Sequence, residues 1–370
     1  MPAPVSTSRT RWDRVYALAA LQLVVTLGWM AYAHFNVMIA DRFGFTALSG
    51  LLSVYLGIAG ATLGPLVGGF GDRVARRGGS RFPILVTGGL LAGAAFVSVA
   101  VTISTQPSGP LSWALVGMIL TWIAAMTVLQ TPALSLLPSA AQAERWPVAA
   151  SPLVVATVLP TAAWPLVSQA LDGMGGTLVF FAGGVLVVSA TFFLRRAFAE
   201  SPSDSTDTRS ARRDDAGIES FSAALPIVFL VGIASAFVTR LASDVVPTIL
   251  ARTGGGVPAL FSATTLGAAT IFAASIGPLG ISLGSRRGVI GSAALAAVCA
   301  AVAPLSASLL GGAAIAIVLG ASLAVHLDCA LPFALGSLPL DRAGLSAGLY
   351  LGGVFAGSQL AQVVPFLSMR

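Results

Sequence analysis

The residues of this chain with chemical potential are a few charged side chains inside long apolar runs. Asp328 lies deep in one such run, and Arg240 and Asp244 stand four residues apart in another, which places both on one face of a helix. Charged groups at membrane depth are costly and usually face a cavity or a partner. A lone carboxylate can take up and release a proton, so Asp328 is the leading candidate for proton coupling or solute binding. Arg240 and Asp244 fit a structural ion pair as well as a solute or coupling role.

A second feature is the stretch from Gly64 to Arg81, which is the one dense cluster of charge between two long apolar runs. Gly60, Gly64 and Gly68 are spaced four apart, and small residues at that spacing let membrane helices approach closely. The Asp72 carboxylate beside them can accept charge-assisted bonds from guanidinium groups or from the N–H groups at a helix start. The pattern predicts two helices packed backbone to backbone and latched by charge. An ordinary loop that sets membrane orientation is the alternative, and it would need only the arginines.

Other kinds of chemistry have little support in the sequence. The two histidines, His34 and His326, are too far apart for a His-Glu-x-x-His zinc site, and the chain has no lysine for a phosphate-binding loop. The arginines lie in short loops rather than on one basic face, which argues against nucleic acid as a partner. Cys299 and Cys329 fall in apolar runs and are expected to be buried thiols. We therefore expect no enzyme activity, no catalytic residues, no metal and no cofactor.

The elements that must position these residues are membrane helices. Of the 370 residues, 56% are hydrophobic and only 9% are charged, whereas a soluble protein has about 25% charged residues. A helix that spans the lipid bilayer needs about 20 mostly apolar residues, and about eleven runs satisfy this. They are Val15–Ala40, Thr46–Phe70, Phe82–Ser104, Leu111–Leu137, Val148–Leu171, Thr177–Leu194, Phe221–Val245, Val257–Leu283, Gly288–Ser308, Gly311–Leu338 and Gly344–Leu367.

The charges of the loops predict the orientation of the chain. Almost all loop arginines fall on the side of the N-terminus, and only Arg42, Arg252 and Arg370 fall on the other side. Because cytoplasmic loops carry an excess of basic residues, the N-terminus is predicted to be cytoplasmic. The protein is then a multi-pass protein of the plasma (inner) membrane.

The chain divides into two halves around a polar segment. Residues 195–220 are rich in Ser, Asp, Thr and Arg with almost no apolar content, which predicts a flexible cytoplasmic linker. The N-terminal half is then 1–194, and the C-terminal half, with about five spans, is 221–370. The Gly-Pro-Leu of Gly64–Leu66 recurs as Gly277–Leu279 in the second half. Parallel repeats of this kind are a transporter architecture.

The charge cluster also carries a family resemblance. Gly69–Arg77 reads Gly-Phe-Gly-Asp-Arg-Val-Ala-Arg-Arg and resembles the cytoplasmic loop motif of the major facilitator superfamily. Arg81–Ile84 and Leu129–Leu137 are similar to segments of its sucrose-transporter and glycoside-pentoside-hexuronide:cation symporter branch. The resemblance implies an all-α membrane protein with the major facilitator fold, in two pseudo-symmetric halves of the six-helix type. The family has twelve spans and this chain about eleven, so the twelfth is expected to be missing.

The resemblance further implies a role for the charge cluster. In the family this loop stabilises the outward-open state and must release for the inward-open state. The residues onto which that role carries over form the predicted latch, which consists of Gly64, Gly68, Gly71, Asp72, Arg73 and Arg77.

Four weaker candidates complete the list of solute or coupling residues. Gln130 and Trp164 are expected as cavity walls by their position in the family, although a tryptophan in a membrane helix more often packs or anchors. His34 and Asn36 lie near the outer end of the first span, where pH could act on the imidazole. The sugar-carrying relatives often place an arginine and an aspartate near the position of Gln130. This chain has serines there, so their sugar and proton chemistry does not carry over.

Together these features predict a secondary active transporter that moves a small organic solute by alternating access. Proton coupling and a sugar-like solute are the finer expectations. A drug or metabolite exporter is one alternative. A non-transporting membrane factor, like the pigment-complex assembly proteins that resemble this superfamily, is the other. The oligomeric state is left open.

Overall fold

The computed structural model describes residues 10–42, 48–105, 113–199 and 218–363, and this part of the chain is helical with no strand. The helices are α1 (Trp12–Arg42), α2 (Leu48–Arg76), α3 (Phe82–Thr105), α4 (Trp113–Leu134), α5 (Trp146–Ala162), α6 (Trp164–Ala199), α7 (Ile218–Arg240), α8 (Val246–Gly254), α9 (Pro258–Leu283), α10 (Ser285–Val302), α11 (Leu309–Ser337) and α12 (Ala343–Val363). The predicted all-α membrane fold is confirmed.

Nine helical stretches in the described residues are long and apolar enough to cross a membrane. One of them joins α7 to α8 through a π-helical turn at Leu241–Val245, so that both helices belong to the seventh predicted span. With α5 and α12, the helices correspond to the eleven predicted spans. The outer ends of the second, fourth and eleventh predicted spans lie partly outside the described residues.

The border between the fifth and sixth spans lies inside α6. Gly175 there has a left-handed backbone (φ 74°) that breaks the helix, and only glycine adopts this conformation readily. Before this point Asp172 contacts His34, far along α1, whereas after it Phe198 lies under Arg14 at the start of α1. The chain therefore crosses in one direction as far as Asp172 and returns after Gly175, which is where the sequence placed the border.

Two helix pairs hold the two halves together, since α2 packs along α12 and α5 packs along α9. Counted as spans, these pairs are two with eleven and five with eight. Moving each partner by six spans converts one pair into the other. This is the symmetry expected of two pseudo-symmetric halves, and it places each interface opposite its counterpart.

The helices define two membrane faces. We call the face at which α1 begins the N-terminal face and the other the opposite face. Because successive spans alternate in direction, α2 ends and α12 begins at the N-terminal face. Most of the predicted linker, 200–217, lies outside the described residues, but α6 continues to Ala199 and α7 begins at Ile218. Helix therefore enters both ends of the segment predicted as linker.

Candidate functional site

Glycines line the contact between α2 and α12, and we call them the glycine seam. A Cβ atom on Gly68 would overlap the carbonyl oxygen of Gly344, and one on Gly64 would lie 2.7 Å from the carbonyl oxygen of Gly348. The two backbones therefore touch, which is the close approach that small residues four apart permit. The seam consists of Gly57, Gly60, Gly64 and Gly68 on α2 with Gly344, Gly348 and Gly352 on α12.

Asp72 closes the seam at the N-terminal face, and its side chain is 1% exposed. Its Oδ1 atom accepts hydrogen bonds from the Gly344 N–H at 2.9 Å and from Nη2 of Arg81 at 2.7 Å. Its Oδ2 atom accepts a bond from the Leu345 N–H at 2.7 Å. The carboxylate of one half thus occupies the first turn of a helix of the other half, where unpaired N–H groups and the helix dipole favour an anion.

The structure gives Asp72 a cation that the family resemblance did not name. Arg81 directly precedes α3, and the turn through Gly78 (φ 84°) brings it back to the end of α2. Arg73 and Arg77 of the predicted latch are exposed at the N-terminal face and make no bond to Asp72 in the described chain. Their part in the latch stays a prediction.

A cleft of about 450 Å³ opens beside Asp72, between the end of α2 and the start of α12. Arg73, Arg76 and Arg342 line it at the N-terminal face, below the apolar wall formed by Leu66 and Phe70 of α2. The cleft therefore lies directly beside the seam at this face.

Gly68→Ala is expected to destabilise the closed seam, whereas Gly69→Ala is not. The new methyl group at 68 meets main-chain atoms of Gly344, which cannot turn aside, and overpacking of this kind costs roughly 1–3 kcal/mol. A Cβ atom at Gly69 would lie 3.9 Å from the Leu345 side chain, an ordinary contact. Thermal unfolding of the purified variants measures the difference, and equal midpoints would contradict the close backbone contact at the seam.

Gly71, a member of the predicted latch, would also tolerate a methyl group, since its nearest neighbour is Ile84 at 3.6 Å.

Asp328 is a buried acid at the interface between the halves. It lies on α11, nine residues before the end of that helix at Ser337, which is about 14 Å from the end, and it is 3% exposed. Ser151 of α5 is its polar neighbour across the interface. Its Oδ1 atom has no hydrogen-bond partner among the described residues. A carboxylate so placed can bind a proton or a cation with little change in its surroundings.

His326 points to the other side of α11. Two residues on a helix differ by roughly 200°, so this side chain faces α7 and α10 inside its own half. Its Nε2 atom lies 3.1 Å from the Ser235 hydroxyl oxygen and its Nδ1 atom 3.2 Å from that of Ser292. This arrangement agrees with a hydrogen-bonded structural histidine. By clamping α11 between two helices, His326 also fixes the rotation that turns Asp328 toward α5.

A second polar group lies toward the opposite face, on α1 and at the beginning of α6. Nε2 of His34 is 2.7 Å from Oδ1 of Asp172, and the His34 ring packs edge-on against Trp164 at 5.7 Å between centroids. The structure therefore brings together two of the candidates, His34 and Trp164, and adds to them an acid that the sequence did not single out. The side chains of Asp172 and His34 are 69% and 20% exposed, which leaves this pair open to solvent.

Arg240 and Asp244 form an ion pair of 2.6 Å across the π-helical turn that joins α7 to α8. Their side chains are 37% and 46% exposed, so the pair is accessible rather than buried. The Ser262 hydroxyl group of α9 donates to the carbonyl oxygen of Ser243 within the turn. Single π-helical turns interrupt helices at functional sites more often than elsewhere, and this one gives the seventh span a point of local irregularity.

The two remaining candidates lie apart from these groups. Gln130 on α4 is 6% exposed, and its Oε1 atom has no hydrogen-bond partner in the part of the chain that the structure describes. Asn36 lines a cavity of about 10 Å³ with the aromatic rings of Tyr32, Phe96 and Trp122. The candidates therefore fall into separate groups at different depths, and no single site unites them among the described residues.

Sequence reasoning missed two charged partners. Arg81 could have been found from its position one residue before a helix and nine residues after Asp72, which a short turn must bring close. Asp172 had a weaker signal, as an acid between two predicted spans on the side where few charges lie. No sequence signal pointed to Ser235 and Ser292, the two serines that contact His326, because both are distant from it in the sequence.

No family model matches the sequence, and no curated protein matches it. Many solved structures match the fold, and two of them illustrate the likeness. One is the human organic anion transporter MFSD10 (TETRAN), with a TM-score of 0.68 and 13% identity, covering 98% of this chain and 95% of that one.

The other is a bacterial homologue of the iron transporter ferroportin in an outward-facing state. Its TM-score is 0.69 and its identity 17%, over 94% of this chain and 91% of that one. Both neighbours are membrane transporters, and the fold they share with this chain is the major facilitator fold. Neither gives support to the sucrose-transporter branch. At these identities the likeness concerns the fold alone.

Proposed function

We propose that the chain is a secondary transporter that moves a small organic solute by alternating access in the plasma (inner) membrane. The observation that carries this proposal is the Asp72 contact. It joins a helix of one half to the start of a helix of the other half through two hydrogen bonds, and an ion pair with Arg81 of its own half holds the carboxylate in place. Such a contact can open and re-form without a change inside either half. Transporters built from two repeats work by rocking one repeat against the other.

The N-terminal face is proposed to be the cytoplasmic one, because it holds almost all the loop arginines. The closed seam then shuts the cytoplasmic entrance, and opening it is the step toward the inward-facing state. In this proposal 1–194 and 221–370 are the moving halves, and 195–220 is the cytoplasmic linker that lets them move.

Asp328 is proposed to couple this motion to a proton gradient. Its carboxylate faces the interface between the halves, where access alternates, and one of its oxygen atoms has no hydrogen-bond partner among the described residues. The two groups toward the opposite face, His34 with Asp172 and Arg240 with Asp244, are solvent-accessible pairs that suit the outer entrance of the path.

The solute is proposed to be a small organic molecule that the protein takes up. Export of a drug or metabolite is the alternative direction of transport. A sugar remains one arm of the test. The assembly factor without transport is the competing class of function, and the same test decides it.

We expect the purified protein to carry a solute into proteoliposomes. Purified protein is reconstituted, a pH gradient is imposed, and uptake is measured for a sugar, an amino acid, an organic cation and an organic anion. Accumulation of one class, absent from protein-free liposomes and reversed by reversing the gradient, supports the proposal. A folded protein that moves none of the classes in either direction would favour the assembly factor.

A further inference from the structure

Four aromatic rings meet at the interface between the two halves. Trp29 and Tyr32 come from α1, Trp122 from α4 and Phe355 from α12. The Trp29 ring is the centre of this aromatic cluster, at 4.7 Å from Trp122, 5.7 Å from Phe355 and 6.3 Å from Tyr32 between centroids. Tyr32 and Trp122 are 5.1 Å apart. The cluster therefore bridges the halves with aromatic faces rather than with aliphatic packing.

The cluster lies near the middle of the membrane. Trp29 follows Trp12, where α1 begins, by 17 residues or about 25 Å, and Phe355 follows the start of α12 by 12 residues or about 18 Å. Gly60 of the glycine seam packs directly against the Phe355 ring. The rings of Trp29, Tyr32 and Phe355 are half-buried. This is the depth and the interface at which transporters with two repeats bind their solutes.

One polar group in the cluster is unsatisfied. The Trp122 side chain is 3% exposed, and its indole N–H has no acceptor among the described residues. Buried tryptophans usually find a partner for this group, as Trp146 does by donating to the Ala141 carbonyl oxygen at 2.9 Å. An aromatic core that served packing alone would have no reason to leave this donor without an acceptor. A bound molecule with an acceptor oxygen would satisfy it.

The charges near the interface favour a cation over an anion. Arg81 is paired with Asp72, and Arg240 with Asp244. Asp328 is buried at the interface, and no guanidinium group pairs with it in the described residues. It lies about 14 Å from the end of its helix, which is below the aromatic cluster on the path toward the N-terminal face. The faces of Trp, Tyr and Phe rings attract cations, and this carboxylate adds to the attraction.

We infer that the aromatic cluster is the solute-binding surface and that the solute class is an organic ammonium cation carrying a hydrogen-bond acceptor. The inference rests on the proposed transport function and names its solute. Trp29, Tyr32 and Phe355 surround the ammonium group. The Trp122 indole N–H donates to the acceptor of the solute. Because Phe355 belongs to the other half, the cation is held by both halves when they meet and loses one wall when they separate.

Binding to the purified full chain by calorimetry tests the inference with four probes. Acetylcholine has the ammonium group and the acceptor, 3,3-dimethylbutyl acetate has the acceptor without charge, tetramethylammonium has the charge without the acceptor, and 3,3-dimethylbutanoate is an anion. Acetylcholine is expected to bind about tenfold more tightly than its uncharged isostere. Equal binding of these two, tighter binding of the anion, or no binding of acetylcholine would each overturn the inference.

The variants separate the two contacts. Trp29→Leu is expected to weaken both cationic probes by about tenfold. Trp122→Phe keeps an aromatic ring but removes the N–H donor, so it is expected to weaken acetylcholine and leave tetramethylammonium unchanged. Trp113→Phe, at the exposed start of α4, is the matched control and is expected to change neither. If Trp122→Phe weakened both cations equally, the assigned donor would be wrong.

The inference and the transport function fail in different ways. Cation binding without flux of any solute in proteoliposomes would contradict the transport function but not the cation site. Flux of an anion or a sugar without cation binding would contradict the cation site but not the transport function. The anion arm has particular weight because one structural neighbour is described as an organic anion transporter.

Discussion

Asp328→Asn is expected to abolish proton-driven accumulation of solute while the protein stays folded and still exchanges solute across the membrane. The asparagine side chain has the same size and can keep the contact with Ser151, but it cannot bind and release a proton. Asp328 is 3% exposed, and one of its oxygen atoms has no partner in the part of the chain that the structure describes, so removing its charge also removes the cost of burying that charge. The substitution therefore separates coupling from stability more cleanly than at most buried acids.

Two measurements on proteoliposomes check this expectation. Accumulation against a gradient should fall to the equilibrium level, and exchange of labelled for unlabelled solute should continue. Glu144→Gln is the control, because Glu144 is also an acid but is exposed in the turn that precedes α5. Its accumulation should stay near that of the unchanged protein. Undiminished accumulation in Asp328→Asn would remove Asp328 from the coupling role.

The organisation of the chain could be predicted because each membrane helix depends mainly on the residues of its own segment. Each span is a run of apolar residues whose length follows from the thickness of the bilayer. The border between the fifth and sixth spans fell at Gly175, where the structure has its left-handed turn. The close approach of α2 to another helix was equally local, since Gly60, Gly64 and Gly68 recur at the spacing of one helix face.

The partners of the functional side chains could not be predicted in the same way. The sequence shows that Asp72 needs donors, but the N–H groups of Gly344 and Leu345 lie more than 270 residues away in the chain. The same holds for His326, whose serines come from two other helices, and for His34 and Asp172. The aromatic cluster could not be predicted for the same reason. Its rings are common residues in apolar runs, and they form a group only where α1, α4 and α12 meet.

Span boundaries were least predictable where polar segments are themselves helical. The segment 195–220 was assigned as linker from its composition, yet helix continues to Ala199 and resumes at Ile218. A helix that leaves the membrane no longer needs apolar residues, so composition marks where the bilayer ends and not where the helix ends.

Asp72→Asn is expected to open the seam at the N-terminal face. The carboxylate accepts three hydrogen bonds, from Gly344, Leu345 and Arg81, and a hydrogen bond to a charged group contributes about 1.5–3 kcal/mol. Asparagine has one acceptor oxygen and no charge, so at least one helix N–H loses its partner and the Arg81 guanidinium loses its counter-charge. A loss of about 3 kcal/mol shifts an equilibrium between closed and open states by roughly two orders of magnitude.

Hydrogen exchange measures this opening directly, because two of the hydrogen bonds to Asp72 are donated by backbone N–H groups. In Asp72→Asn the peptide that begins at Ala343 should exchange its amide hydrogens at the start of α12 much faster, while the middle of α11 keeps its protection. Asp341→Asn is the matched control. Asp341 lies beside the same helix start, but it is 52% exposed and 3.7 Å from Arg76, and exposed ion pairs contribute about 0–1 kcal/mol. Its exchange should remain unchanged. If both variants exchanged alike, the closure of the two halves would rest on the glycine seam alone, and the Asp72 hydrogen bonds would not contribute to it.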